Sequence, residues 1–224
     1  MSNNAGLFSS SLGKKYLMAL TGLFLCSFLV IHLLGNVALF TNPVQFNEYT
    51  RFMSSNPIIR VIEIVLVLGF LTHIIDAIML SRANRLAKPT KYAMDKKKSS
   101  WYSRNMGLTG SIILAFLILH LQSFWYEYKF GEVLMTKDGN GDEIKDMYTI
   151  VITAFEQWWY SSIYVIAMIL LGSHLNHGFQ SAFQSIGLRH KKYTPSLKKI
   201  GAGFALLITL GFVSFPIYFY FSQL

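Results

Sequence analysis

The sequence predicts an all-α integral membrane protein with five transmembrane helices in a single domain, residues 1–224, and three observations support this prediction. Hydrophobic residues make up 53% of the chain and charged residues only 14%, and the mean hydropathy is +0.40. Five stretches reach the length of about 18 apolar residues that a helix needs to cross a bilayer. Most basic residues lie between these stretches rather than within them. The predicted helices are roughly residues 16–40, 58–80, 106–126, 158–183 and 200–221.

Lysine and arginine are unequally distributed between the two ends of the predicted helices. Fifteen of the 20 precede the first helix or lie in the second-to-third and fourth-to-fifth connections, and the other five lie at the opposite ends of the helices. Cytoplasmic loops of membrane proteins carry the excess of Lys and Arg, so we expect a cytoplasmic N-terminus and a C-terminus outside. Because of this distribution, we attribute the net charge of +9 to membrane topology and not to nucleic-acid binding.

The first two helices follow from local signals. Residues 1–13 are polar, and the apolar stretch after them is longer than a signal-peptide core and lacks a small-residue cleavage site, which favours a retained helix. The single cysteine, Cys26, lies inside that helix, so the chain has no disulfide framework, no cysteine zinc cluster and no CxxCH motif for covalent haem. Pro57 suits the start of the second helix, which carries Glu63 and Asp76.

Local signals also describe the long connection between the third and fourth helices and the two helices that follow it. Residues 127–156 are acidic and contain KDGNGDE, whose turn-forming residues predict a surface hairpin. The DxNxD spacing is similar to that of a calcium-binding loop, but Glu143 stands where that loop needs glycine, so a hairpin is preferred. The aromatic residues that begin at Trp158 are typical of a membrane interface. The fifth helix contains Pro216 but no histidine or charge, and we expect it to serve packing.

Histidine residues occur in four of the five predicted helices, and their depths match in pairs. With a rise of about 1.5 Å per residue, His32 lies about 25 Å past Lys15 at the inner end of the first helix, and His120 lies about 24 Å past Arg104 at the inner end of the third. In the second and fourth helices, which run inward, His73 lies about 20 Å and His174 about 24 Å from the outer end. The first pair is therefore level near the outer face, and the second pair is level nearer the cytoplasm.

Two histidines on facing helices at one depth are what bis-imidazole haem ligation requires, because the iron takes one nitrogen from each side of the porphyrin. Four such residues predict two stacked haem b groups. Gly22 and Gly110 each precede a histidine of the first pair by ten residues, near the level of the second pair, where a missing side chain lets a haem edge approach. The alternatives are hydrogen-bonded core histidines and glycines that serve helix packing. His177 is the alternative ligand to His174, and His190 is expected to be solvated.

A TG-x9-H motif occurs in both the first and the third helix, and the run SSSLGKKYLMALTGLFL and the apolar HLNHGF accompany it. On these motifs the chain resembles the single-subunit, five-helix, di-haem cytochrome b anchor of succinate dehydrogenases and fumarate reductases. The resemblance implies that His32 and His120 bind a distal haem b, and that His73 and His174 bind a proximal haem b.

The same resemblance implies a bacterial cytoplasmic (inner) membrane location and two partner subunits. A flavoprotein subunit would interconvert succinate and fumarate, and an iron–sulfur subunit would pass electrons to this anchor. The anchor would exchange electrons and protons with membrane quinone, as the quinone-reactive part of a complex and not as an isolated enzyme. The complex is expected as a single copy, or as an assembly of two or three complexes.

Roles for several polar residues also come from the resemblance. Glu48 matches the acidic residue that family members place ahead of the second helix for proton transfer to quinone, and Glu63 is the alternative. Basic residues at the cytoplasmic ends would dock the soluble subunits and neutralise haem propionates, with Trp101 as a hydrogen-bonding neighbour; orientation by positive charge alone is the alternative. These basic candidates are Lys14, Arg104, Arg189 and Lys191.

Two other functions fit parts of the pattern. The cytochrome b subunit of a hydrogenase or formate dehydrogenase would share haem ligation, but it typically has four helices and a different histidine distribution. A proton-coupled transporter or channel would use the intramembrane histidines with Glu63 and Asp76 as a proton relay. A reduced-minus-oxidised absorption spectrum separates the transporter from the cytochromes, and co-purifying subunits separate the two cytochromes.

Overall fold

The computed structural model describes residues 10–86 and 104–222. Trp101, which the resemblance assigns to haem binding, lies outside these residues. Within them, five helices are long and apolar enough to cross a membrane, which confirms the predicted number and agrees with a multi-pass membrane protein. These helices are Leu12–Phe40, Pro57–Leu86, Met106–Phe130, Trp158–Ser185 and Thr194–Phe221.

The described elements include short helices and two strands besides the five long helices. A 3-10 turn, Val37–Phe40, extends the first helix, and a π-helical turn, Leu121–Tyr126, lies within the third. In chain order the elements are α1 (Ser11–Asn36), α2 (Pro43–Ser55), α3 (Pro57–Leu86), α4 (Met106–His120), α5 (Glu127–Phe130), β1 (Met135–Lys137), β2 (Glu143–Lys145), α6 (Met147–Glu156), α7 (Trp158–Ser185) and α8 (Thr194–Phe221).

Asparagine residues cap the helices that follow α1. The Asn42 side-chain oxygen accepts hydrogen bonds from the backbone N–H groups of the first turn of α2, and Asn56 does the same for α3. A proline directly follows each asparagine, at a position where its missing N–H and fixed φ suit a helix start. Because these starts are locally encoded, the connection between α1 and α3 folds as a helix rather than as a loop.

Helix α7 is central to the packing of the long helices. It packs along α8 most extensively and also contacts α1, α4 and α6, whereas α3 packs mainly on α1 and α2. Gly172 permits the close approach of α7 and α8, since a Cβ atom there would collide with the side chain of Thr209. Apolar residues of α1 and α8, including the fully buried Ile208, complete this part of the core.

A small layer at one end of the long helices, called the cap below, consists of α2, the β1–β2 hairpin and α6. The strands pair antiparallel with Thr136 opposite Ile144, which confirms the predicted hairpin. Asn47 is 2% exposed; it donates to Oδ1 of Asp146 at 2.9 Å and accepts from the backbone N–H of Tyr148 at 2.8 Å. This buried amide joins α2 to α6 at the end of the bundle where α1 finishes and α7 begins.

Candidate functional site

The structure brings four histidine residues together as two facing pairs. Helices α1 and α4 bring His32 and His120 to a distance of 5.8 Å between ring centres, with ring planes at 82°. Helices α3 and α7 bring His73 and His174 to 6.4 Å, with ring planes at 65°. These are the two pairs that the depth argument predicts. The first is called the cap-side pair below and the second the far-side pair.

The helices that carry each pair are held mainly by other neighbours. Helix α1 packs on α3, α7 and α8, and α4 packs on α7. Among the described residues, neither α1 with α4 nor α3 with α7 is a closely packed helix pair. The imidazole rings therefore meet across the gaps between helices whose backbones stand apart, an arrangement that suits a flat group bound between the rings.

Aromatic rings enclose the cap-side pair. Phe28 stacks on the His32 ring with an interplanar angle of 11°. Rings from α1, α4, α8 and the π-helical turn approach the two imidazoles, so this pair lies in an apolar environment. The four phenylalanine rings, with centres 5.3–5.8 Å from an imidazole centre, are those of Phe28, Phe116, Phe124 and Phe212.

Two buried tyrosine residues contact the cap-side pair through a histidine nitrogen. Nδ1 of His120 lies 3.1 Å from the hydroxyl oxygen of Tyr164, which lies 3.1 Å from the hydroxyl oxygen of Tyr160. Each tyrosine is 5% exposed. The sequence predicts a place for Tyr160 only in the aromatic group at the membrane interface, and it predicts no role for Tyr164. Their i, i+4 spacing on the helix that carries His174 is the signal that could have drawn attention to them.

Small residues contact the far-side pair. Oγ1 of Thr21 lies 3.1 Å from Nδ1 of His73. A Cβ atom added at Gly22 would lie 3.4 Å from Cε1 of His73, and one added at Gly110 would lie 3.7 Å from Cε1 of His174. Both TG motifs therefore lie at the level of this pair, as their ten-residue spacing predicts. Nδ1 of His174 is buried without a hydrogen-bond partner among the described residues.

The two carboxylates considered for quinone chemistry have different partners. Glu48, on α2, accepts a hydrogen bond from the backbone N–H of Gly139 at 2.9 Å and so contacts the hairpin. Glu63, on α3, accepts from Nε1 of Trp125 at 2.6 Å and forms an ion pair with Arg60. Both groups lie toward the cap end of the chain's long helices.

The remaining predicted polar residues lie at the opposite end. Lys14 is half-buried on α1, and it lies near enough to Asp76 of α3 to interact electrostatically. Asp76 is 4% exposed, and its Oδ2 atom has no hydrogen-bond partner within the described segments. Arg104 precedes α4, Arg189 lies between α7 and α8, and both are exposed.

Electrostatics stabilise the hairpin of the cap. Burial alone would raise the pKa of Asp138, but the backbone N–H groups of Asp142 and Asn140, together with Arg51 at 3.0 Å, hold that pKa below its usual range. The hairpin turn is therefore fixed around an ionised carboxylate. On the α1 side of the cap, burial raises the pKa of the Tyr49 hydroxyl, which faces α1 at Gly35.

No group of three or more His, Cys, Asp or Glu side chains that could hold a metal ion occurs within residues 10–86 and 104–222. The histidines meet as pairs and not as larger clusters. Comparison of the chain with protein-family models, curated proteins and solved structures finds no match.

Proposed function

We propose that this chain is the membrane-anchor cytochrome b subunit of a succinate:quinone oxidoreductase, a succinate dehydrogenase or fumarate reductase. The observation that carries the proposal is the presence of two facing imidazole pairs at two levels of one apolar helix bundle. His32 and His120 would hold one haem b, and His73 and His174 would hold the other. When bound, haem accepts and donates single electrons, and its protein ligands tune its potential.

The separation of the rings supports haem ligation. Two imidazoles that bind one metal ion from opposite sides through bonds of about 2 Å have ring centres about 6 Å apart. The measured distances of 5.8 and 6.4 Å fit this arrangement. Gly22 and Gly110 support it further, because they leave the backbone bare beside the far-side rings. The donor set also fits, since imidazole is a common axial ligand of haem iron.

Quinone would react at the cap end, close to the cap-side pair. A groove of about 330 Å³ lies there, lined by Ile31, Leu34, Gly35, Ala38 and Tyr49. Its apolar walls suit an isoprenoid quinone, and Tyr49 adjoins Glu48 in the sequence. Glu48 is therefore the proposed proton-transfer residue, with its carboxylate at the hairpin. Glu63 is the alternative.

The other end of the bundle would face the soluble subunits. Lys14, Arg104 and Arg189 lie there on separate helix ends and connections. These cations would dock the iron–sulfur and flavoprotein subunits and neutralise haem propionates. This assignment places the N-terminus in the cytoplasm, in agreement with the distribution of basic residues.

A reduced-minus-oxidised absorption spectrum of the purified protein tests the proposal, combined with alanine variants of the histidines. His32→Ala and His120→Ala should remove one haem, and His73→Ala and His174→Ala should remove the other, because each iron needs both of its imidazoles. The exposed His190 supplies the control, and His190→Ala should leave both haems. Absence of a b-type signal from the unaltered protein would exclude the proposal, and loss of one common haem in His32→Ala and His73→Ala would exclude the pairing.

The quinone assignment needs a separate measurement. Glu48→Gln keeps an acceptor for the Gly139 N–H but removes the titratable proton, so quinone-linked turnover should fall while both haems stay bound. Glu63→Gln is the matched variant. Normal turnover in Glu48→Gln with reduced turnover in Glu63→Gln would transfer the role to Glu63.

A proton-coupled transporter or channel is the second candidate function, and the buried carboxylate of Asp76 is the observation that favours it. An ionisable side chain within a membrane helix is costly and often serves ion transfer. Purified protein that lacks haem but moves protons across vesicles would establish this function. If haem is present, co-purification with hydrogenase or formate dehydrogenase subunits would instead assign the chain to that class of cytochrome.

A further inference from the structure

One histidine of each pair has a hydroxyl group at its Nδ1 atom. Thr21 approaches Nδ1 of His73, and Tyr164 approaches Nδ1 of His120, both at 3.1 Å. The same ring atom is engaged in both pairs although the two hydroxyl groups come from different residue types and different helices. In each of these two rings, Nε2 is the nitrogen left to bind another group.

The hydrogen bonds of Thr21 define the direction of its contact with His73. Its hydroxyl donates to the backbone carbonyl of Leu17 at 2.8 Å, and a second backbone carbonyl, that of Met18, lies at 3.2 Å. A hydroxyl has one hydrogen to donate, so toward the imidazole it acts as an acceptor. His73 therefore carries its hydrogen on Nδ1, and the lone pair of its ring is on Nε2.

Tyr164 is placed to act on His120 in the same way. Its hydroxyl oxygen lies between Nδ1 of His120 and the hydroxyl oxygen of Tyr160. The apolar surroundings of Tyr164 include the rings of Phe116, Phe124 and Phe155. A buried N–H in such an apolar pocket needs an acceptor. Tyr164 can donate to Tyr160 and accept from Nδ1–H, so this arrangement satisfies both the Tyr164 hydroxyl and the imidazole N–H.

Each of these hydroxyl groups comes from a helix whose own histidine belongs to the other pair. Thr21 stands on α1 eleven residues before His32, and Tyr164 stands on α7 ten residues before His174. These spacings correspond to about 15–16 Å along a helix, which is the distance between the levels of the two pairs. Helices α1 and α7 thus contribute a histidine to one pair and a hydroxyl group to the other.

We propose that Thr21 and Tyr164 are positioning residues, which fix the Nδ1–H form of His73 and His120 and direct Nε2 of each ring toward its partner histidine. The inference rests on the proposed function, in which these Nε2 atoms bind haem iron. Donation from Nδ1–H raises the basicity of an imidazole ligand, which favours the oxidised iron. Removal of either hydroxyl should therefore raise the midpoint potential of one haem and leave the other unchanged.

The repeated TG motif supplies a matched control. Thr109 occupies in α4 the place that Thr21 occupies in α1, and its hydroxyl also donates to backbone carbonyl groups of its own helix. Nδ1 of His174, the imidazole beside Gly110, nevertheless has no hydrogen-bond partner among the described residues. Thr21→Val and Thr109→Val therefore make the same change at equivalent positions, but only the first removes a contact with histidine.

The experiment is a redox titration of the intact purified complex, followed by absorption and by electron paramagnetic resonance of the low-spin iron. Histidine-to-alanine variants first assign each signal to a pair. Thr21→Val should raise the potential of the His73–His174 haem alone, and Tyr164→Phe that of the His32–His120 haem alone. Thr21→Ser, which restores the hydroxyl, and Thr109→Val should leave both potentials at their original values.

Two results would overturn the inference: two fully occupied haems with unchanged potentials in Thr21→Val and Tyr164→Phe, or equal shifts in Thr109→Val and Thr21→Val. Thr21→Ala tests the same hydrogen bond with a smaller side chain if the valine variant fails to assemble. Absence of haem from the unaltered complex is a different result, since it excludes the proposed function itself.

Discussion

The two histidine pairs have similar ring distances but opposite surroundings. The cap-side rings lie among phenylalanine and tyrosine side chains, several of which belong to the buried core beneath the cap. The described neighbours of the far-side rings include a threonine hydroxyl and two glycine backbones. The comparison shows two ways to hold an imidazole in a membrane bundle: by the packing of large side chains, or by the close approach of a bare backbone.

Both environments follow from one repeated spacing. In α1 and again in α4, a Thr-Gly dipeptide precedes a histidine of the cap-side pair, and the histidine is the tenth residue after the glycine. Ten residues of helix measure about 15 Å, so in each of these helices the histidine lies at the level of the cap-side pair and the glycine at the level of the far-side pair. A single motif therefore shapes both sites, although each copy contributes a ligand candidate to only one of them.

The largest expected effect comes from removal of an aromatic ring at the cap-side pair. Phe124 is 8% exposed and lies 5.4 Å from His120 between ring centres. Phe124→Ala leaves a cavity there and should destabilise the protein by about 3–5 kcal/mol. Thermal unfolding in detergent measures this loss of stability. Occupancy of the haem proposed for His32 and His120 shows whether the damage is local to the cap-side pair.

Phe130 provides the control for this variant, because it lies on the same long helix but is 67% exposed. Phe130→Ala should change the unfolding temperature little. Equal effects of the two variants, or loss of the far-side haem in Phe124→Ala, would break the distinction between the pairs.

A smaller effect is expected from a side chain added beside the far-side pair. A Cβ at Gly110 meets His174 at 3.7 Å, so Gly110→Leu should displace that imidazole at a cost of about 1–3 kcal/mol. The haem proposed for the far-side pair should be lost, while the haem proposed for the cap-side pair remains. Absorption spectra of Gly110→Leu and Gly107→Leu measure this effect. Gly107→Leu is the control, since Gly107 lies one turn away and has open space around its Cβ position. Loss of haem in Gly107→Leu as well would mean that leucine at either position of α4 causes the loss. Contact with His174 would then not explain the effect of Gly110→Leu.

The smallest effect concerns the cap, which covers only one of the two pairs. The pKa of Asp138 is below its usual range, so the ionised group favours the folded hairpin above the unfolded value of about 3.9. This stabilisation is lost as the pH falls through the lower folded value. Amide hydrogen exchange in the hairpin should therefore accelerate at acidic pH in the unaltered protein.

Asp138→Asn should show fast exchange at neutral pH with little further change on acidification. Asp142→Asn is the control, because the Asp142 side chain is exposed and Asp142 contacts Asp138 through its backbone N–H and carbonyl groups. Slow exchange in Asp138→Asn at every pH would mean that the ionised carboxylate does not hold the turn. The haem proposed for the far-side pair should be unaffected in both variants.

Depth within a helix can be predicted from sequence, whereas rotation about the helix axis is harder to predict. The rise per residue is fixed, so the levels of His32, His120, His73 and His174 follow from counting. The contact of Tyr164 with His120 depends on how α7 is rotated against α4, which packing over the whole bundle determines. The link between Asn47 and Asp146 joins residues 99 positions apart, and no local pattern indicates it.

The choice between Glu48 and Glu63 shows a second limit of sequence. Both residues are carboxylates near the start of the second long helix, and their spacing alone does not separate them. The structure adds their partners, a hairpin N–H for Glu48 and an indole N–H for Glu63. The haem groups, the quinone and the partner subunits stay predictions, because they depend on molecules other than this chain.

The π-helical turn Leu121–Tyr126 begins directly after His120. A wide turn holds one residue more than an ordinary one, so everything beyond it is rotated by about 100° relative to an uninterrupted helix. In this phase Phe124 faces the imidazole and Trp125 reaches Glu63. A substitution scan would change these residues one at a time and would leave the rotation of the helix about its axis unchanged. Deletion of a single residue would instead turn the whole distal end of the helix, so the length of this segment is itself a structural determinant.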